Sequence, residues 1–107
     1  MKLKVSTLFF VFFFIITSVI AQVQQTRTMY YGNETREYSI YVPATYNSSI
    51  ATPILLSFHG GGGDGLSMML GTNDMRPIAD TANFIAVYPS GSGGAWMHKA
   101  PTNYNDI

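Results

Sequence analysis

Cysteine is absent from the 107 residues, which excludes disulfides, thiol catalysis and thiolate metal sites. Charge is scarce, at 11% of residues, with six basic side chains against six acidic ones. There is one tryptophan, Trp96, and no internal repeat. The shortage of positive charge deepens once the N-terminus is set apart. Met1-Lys2-Leu3-Lys4 is a short basic start, and Val5 to Ile20 is almost wholly apolar and holds five of the seven Phe. Val19 and Ala21 stand at the −3 and −1 positions of a cleavage site before Gln22. Basic start, apolar run and small residues are the order of a secretory signal peptide over residues 1–21. An uncleaved anchor is the competing reading. The run is about 16 residues, short of the roughly 20 that a spanning helix needs. No cysteine follows it, which excludes a lipid-anchored form. The expectation is a secreted chain of residues 22–107, off the membrane after cleavage. That chain holds four basic side chains (Arg27, Arg36, Arg76, Lys99) against six acidic ones, a poor surface for nucleic acid.

Local pattern supplies the elements. Thr26 to Tyr31 is rich in β-formers, Gly32-Asn33 is a two-residue turn pair, and Glu34 to Val42 alternates Tyr38, Ile40 and Val42 with Glu37, Ser39 and Tyr41. This reads as an antiparallel hairpin closed by Pro43, with one face buried and the other exposed. Ile54 to Phe58 and Phe84 to Tyr88 are short apolar runs without alternation, which suit parallel strands covered on both faces. Between them, Leu66 to Leu70 and Asp74 to Ala82 are the helical stretches. Gly71 is the expected stop of the first, Asn73 or Asp74 the cap of the second, and Pro77 falls in its first turn. Strand, helix, strand predicts a βαβ unit with parallel strands. Ser90 to Ala95 reads as a flexible loop. The fold class expected is α/β: a hairpin followed by a βαβ unit. There is too little helix to cover even one face of such a sheet, and two apolar strands would be left unpaired. The expectation is therefore the N-terminal portion of a larger α/β domain, over residues 22–107.

The sharpest chemical feature is His59-Gly60-Gly61-Gly62-Gly63 directly after an apolar strand. Glycines let a backbone approach a ligand closely, and amides aimed into a cleft stabilise a developing oxyanion. An HGGG-type loop after the third strand does this in lipases and esterases. A flexible glycine linker is the plainer alternative, but linkers rarely join a strand to a helix. Gly60-x-Gly62-x-x-Gly65 also matches the dinucleotide fingerprint, yet Pro89-Ser90 stand where its acidic residue belongs, and Asp64-Gly65-Leu66 does not complete a P-loop. His59, Asp64, His98 and Asp106 are the candidate metal ligands, and their spacing fits no usual metal site. Asn33-Glu34-Thr35 and Asn47-Ser48-Ser49 are glycosylation sequons, the first in competition with the hairpin turn.

Four runs occur in order: Arg36-x-Tyr38-x-Ile40-Tyr41-Val42-Pro43, Pro53 to Gly63, Ala79-Asp80, and Asn83 to Gly91, followed by Trp96. Together they resemble the N-terminal part of the secreted polyhydroxybutyrate depolymerase and feruloyl esterase group of α/β-hydrolases, from Arg36 to the end of the chain. The resemblance implies a serine esterase without cofactor, acting on ester-bearing polymers: feruloyl or acetyl groups on polysaccharide, or hydroxyalkanoate polyester. It implies a triad in the order Ser, Asp, His, with the serine in a Gly-x-Ser-x-Gly elbow. The sequence contains no such elbow, so the triad is expected beyond Ile107 and the 107 residues alone are expected to be inactive. His59 precedes any such serine and is excluded as the triad base. It and Gly60 are assigned to bracing the loop. The oxyanion donor carried over is the Gly61 amide, with Gly62 as fallback. Trp96 either lines the substrate cleft or packs against its loop. Ser90 and Met97 depart from the Asp and Asn the group often has there, which leaves substrate preference open. The alternative to an enzyme is a secreted module that binds carbohydrate or protein through Tyr30, Tyr31, Tyr41, Tyr46 and Tyr104.

Overall fold

The structure is a computed structural model that describes residues 22–96. Residues 1–21, read above as a signal peptide, and Met97, His98, Tyr104 and Asp106 lie outside the described residues. β1 (Val23–Tyr31) and β2 (Glu34–Val42) form an antiparallel hairpin in continuous register, from Val23 opposite Val42 to Tyr31 opposite Glu34. Gly32 and Asn33 both have φ of 62°, the type I′ turn whose twist matches that of paired strands. β3 (Ile54–Leu56) runs parallel to β4 (Ile85–Pro89), and β4 runs antiparallel to β2. The sheet order is β1-β2-β4-β3. The two apolar strands therefore pair with each other, and only β3 is left at an edge.

The βαβ connection is shorter in helix than its sequence suggests. α1 (Gly65–Ser67) is a single turn, capped by Asp64, whose carboxylate accepts from the Ser67 amide at 2.8 Å and the Ser67 hydroxyl at 2.7 Å. These bonds, the amide first, hold the Asp64 carboxyl below its usual range. The chain then widens into a π-helical turn over Met68–Thr72 that passes through Gly71 instead of stopping there. It ends where the Asn73 amide donates to the Met68 carbonyl at 3.1 Å. α2 (Arg76–Ala82) has Met75 at its N-cap and Pro77 in its first turn. Asp74 still serves that end, accepting from the Arg76 amide at 3.0 Å and clasping the guanidinium with both oxygens at 2.8 Å. Asn83 ends α2 in the left-handed region, at φ 53°.

One face of the sheet lies under these turns. Its core is Tyr41, Ala86 and Tyr88 against Met69 and Ala79, with Met68, Met75 and Phe84 packed around them. The Tyr88 hydroxyl accepts from the Met75 amide and donates to the Asn73 carbonyl, both at 2.9 Å, which ties the connection to β4. Two expectations are corrected here. The buried row of β2 is Ser39 and Tyr41, while Tyr38, Ile40 and Val42 are half-buried, because the helical turns lie on the Ser39 side. β3 is exposed along its length, not covered on both faces: Ile54 is 63% and Leu56 55% exposed. The short helices nonetheless cover the centre of their own face, where Ala86 and Tyr88 are fully buried.

Candidate active site: the glycine loop at the end of the parallel strands

Parallel pairing brings the loops after β3 and β4 out at the same, carboxyl end of the sheet, where open α/β sheets bind ligands. The first loop is His59 to Asp64 and the second Ser90 to Trp96. Backbone meets backbone between them. The Gly62 amide donates to the Gly94 carbonyl at 2.7 Å. Gly65 sits against the end of β4 so closely that any Cβ there would collide with the Tyr88 carbonyl, and its amide donates to Ser90 Oγ at 2.9 Å. The stretch from Ser90, expected as a flexible loop, is tied in this way and closes on itself in two overlapping turns, with the Gly94 amide donating to the Gly91 carbonyl at 3.1 Å and the Ala95 amide to the Ser92 carbonyl at 3.3 Å.

His59 is buried between the loops. Its Nε2 accepts from the Gly91 amide at 3.0 Å, so the ring proton is on Nδ1, 2.6 Å from the Gly60 carbonyl to which it donates. The imidazole therefore bonds Gly60 and Gly91 at once, with neither nitrogen left to take a proton from a nucleophile. The Trp96 indole donates to the His59 carbonyl at 2.7 Å. Its ring lies 4.7 Å from the imidazole and meets Phe58 edge-on at 5.1 Å.

Within the glycine loop the Gly63 amide donates to the Gly60 carbonyl at 3.2 Å and Gly62 has φ of 80°. These are the marks of a type II turn with Gly61 and Gly62 at its corners. A side chain at Gly62 would be strained by that φ. At Gly61 a Cβ meets nothing. The two candidate oxyanion donors are thereby separated. The Gly62 amide is engaged by the Gly94 carbonyl. The Gly61 amide makes no hydrogen bond among the described residues. A cleft of about 400 Å³ runs between this loop and the Ser67–Thr72 segment, with Gly61, Asp64 and Met68 in its wall. On the far side of Trp96 a second cleft of about 370 Å³ is lined by Met29, Tyr31, Tyr38, Val87 and Ser90. Trp96 thus both packs and lines a cleft.

Sequence reasoning missed three residues that build this geometry: Gly65, Ser90 and Gly91. Gly65 had a signal. It is the third glycine of the rejected dinucleotide pattern, and close helix–strand packing is what that glycine serves there. Among the described residues, the tyrosines of the alternative reading do not all share one surface. Tyr30 and Tyr31 are neighbours on one strand and point to opposite faces, and Tyr41 is in the core. Of the candidate metal ligands within the described residues, His59 is engaged with Gly60 and Gly91, and Asp64 with Ser67.

The fold is that of a portion of an α/β-hydrolase sheet. Among solved structures the chain is similar to an S-formylglutathione hydrolase from Staphylococcus aureus, at 13% identity and a TM-score of 0.57 over 80% of this chain and 36% of that one. It is also similar to a ferulic acid esterase, at 20% identity and a TM-score of 0.54 over 65% of this chain and 30% of that one. The chain spans about a third of the length of these structures. No protein family profile and no curated protein matches it.

Proposed function

We propose that the chain is the oxyanion-loop portion of a secreted carboxylic-ester hydrolase that acts by serine acyl transfer. Its substrates are polymer-linked esters: feruloyl or acetyl groups on polysaccharide, or hydroxyalkanoate polyester. The observation that carries the reading is the Gly61 amide, which makes no hydrogen bond among the described residues and lies in a glycine turn that His59, Gly94 and Ser90 tie down around it. A donor held in advance stabilises developing charge without reorganising at the moment of reaction. In the proposed step a serine from outside these residues gives its proton to the triad histidine and attacks the ester carbonyl, whose oxygen becomes an oxyanion. Gly61 N–H donates to that oxyanion. The alkoxide leaves with a proton from the triad histidine, and water then releases the acid. His59 moves no proton in this scheme. The similarity to an S-formylglutathione hydrolase and a ferulic acid esterase supports the reading.

The test begins with the reading frame beyond the codon for Ile107. A Gly-x-Ser-x-Gly elbow followed by Asp and His is expected. The full product should hydrolyse a nitrophenyl ester, and the 107 residues alone should not. In the full product, Gly61→Pro removes the amide at a turn corner that accepts proline. It should lower kcat by about 10²–10³, whereas Gly61→Ala, which keeps the amide, should stay within about threefold. A frame without the elbow, or a Gly61→Pro enzyme as fast as the parent, would sink the assignment.

A further inference from the structure

Arg36 opens the run that resembles the esterase group, and the site as described gives it no task. Its side chain is largely buried, at 13% exposure. Nη1 donates to Ser92 Oγ at 2.7 Å, and Nη2 lies 3.5 Å from Glu34 Oε2. The Ser92 hydroxyl donates to the same carboxylate oxygen at 2.8 Å. The three side chains close a ring in which the serine oxygen both accepts and donates. Glu34 and Arg36 are two residues apart on β2, so the pleat sets them on one face, beside the tip of the hairpin. A second bond, from the Ser90 amide to the Glu37 carbonyl at 2.9 Å, draws the same loop to the same strand.

Ser92 begins the turn that holds the glycine loop at two points. Gly91, before it, donates to His59, and Gly94, at its end, accepts from Gly62. Gly93 and Gly94 have φ of 62° and 78° and bring no side chains of their own to anchor the turn. Ser92 is the polar side chain inside it.

We infer that Glu34, Arg36 and Ser92 form a clamp that positions the oxyanion loop. The hairpin tip fixes the Ser92–Gly94 turn, the turn fixes Gly62 and His59, and these set the direction of the Gly61 amide between them. The catalytic half of this inference rests on the ester-hydrolase reading; the mechanical half rests on the hydrogen bonds. Arg36 is a positioning residue, and its planar fork is what reaches Ser92 and Glu34 together. A lysine ammonium is a point charge on a flexible stem and does not reproduce the fork.

The mechanical half is tested on the full product of the reading frame by amide hydrogen exchange at Gly62 and Gly91, with Ala79 in α2 and Asn83 at its C-cap as internal references. Ser92→Ala and Arg36→Lys should each speed exchange at the two glycines about tenfold or more and leave α2 unchanged. Ser92→Thr, which restores the hydroxyl, should return near the parent rates. Unchanged glycine exchange would overturn the clamp. So would an equal rise at all four amides in both variants, since the trio would then support the whole sheet and not the loop. In the full product, Ser92→Ala should lower kcat about 10- to 100-fold, with KM within about twofold. It should cost nothing further in a Gly61→Pro background. Faster glycine exchange with unchanged kcat would overturn the catalytic half. Faster exchange in a parent protein that hydrolyses no ester would instead defeat the ester-hydrolase reading and leave the clamp as a structural tie.

Discussion

On one face of the sheet Ser39, Tyr41, Ala86 and Tyr88 lie under the helical turns; on the other Tyr38, Ile40, Ile54, Leu56 and Val87 stand without a helix over them among the described residues. The covered face buries polar groups at its centre. Each of its hydroxyls has a partner, as buried polar groups require: Ser39 with Thr26 at 3.0 Å, Tyr41 with Asp80 at 2.7 Å, and Tyr88 with Met75 and Asn73. The open face is aliphatic and aromatic along β3 and β4 and turns polar toward the hairpin tip, where Arg27, Glu34 and Arg36 share it. Fully burying each such side chain is worth about 1.5–3 kcal/mol, most of which the β3 residues do not gain here. Burial in this chain therefore follows the position of the covering layer more than the hydrophobicity of the strand.

That contrast is open to direct attack. The largest effect is expected where the covered face and the glycine loop meet. Gly65→Ala places a methyl against the Tyr88 carbonyl and should cost about 3 kcal/mol or more in denaturant unfolding. Next comes a matched pair of hydroxyl deletions. Tyr88→Phe strips partners from the Met75 amide and the Asn73 carbonyl and should cost about 1–3 kcal/mol. Tyr38→Phe, on the open face, should stay within about 0.5 kcal/mol. Leu56→Thr should likewise change stability by no more than about 0.5 kcal/mol, while reducing self-association in sedimentation velocity. If it instead cost about 2 kcal/mol or more, as deleting buried apolar groups does, that face would be covered in solution and the contrast would fail.

The smallest effects are in the pH dependence of the covered face. Burial, then the bond to Asp80, pushes the Tyr41 hydroxyl up to about 12 from 10.0. The folded state thus holds this proton more tightly. Stability from it is complete below pH 10 and is lost as pH rises toward about 12, and Tyr41→Phe should remove that slope. Asp74 has the opposite sign. Its bonds with the Arg76 side chain hold it down at about 2 against 3.8 unfolded. Its contribution is complete above 3.8 and is lost as pH falls toward about 2, and Asp74→Asn should flatten the acid limb of the unfolding curve.

The hairpin was legible to the residue at β2 and its turn because Gly32-Asn33 and the alternation after it act locally. The parallel pairing of β3 and β4 was legible because both runs are apolar without alternation. The second helix was legible in its end at Ala82 and in Pro77 at its first turn, but the first was not. Asp64 takes the cap at α1, and the need to bring Asn73 under the Tyr88 hydroxyl accompanies a π turn straight through Gly71. At the site, the glycine run and its place after a strand stood out in the sequence. Which of its amides is engaged did not, because Gly62 is answered by Gly94, a residue of another loop. Arg36 was visible as part of a run, but its partner Ser92 lies 56 residues away.

What the sequence by itself determined is local: a type I′ hairpin, two parallel-type strands, and a turn of glycines free to approach another backbone. The reason is that φ preferences and side-chain period act within a few residues. What only the tertiary structure decided is which face of β2 is buried, that Gly61 and not Gly62 keeps its amide open, and that Arg36 reaches the second loop. Each depends on strands pairing across the chain, and pairing alone sets which distant backbone groups come within hydrogen-bonding distance.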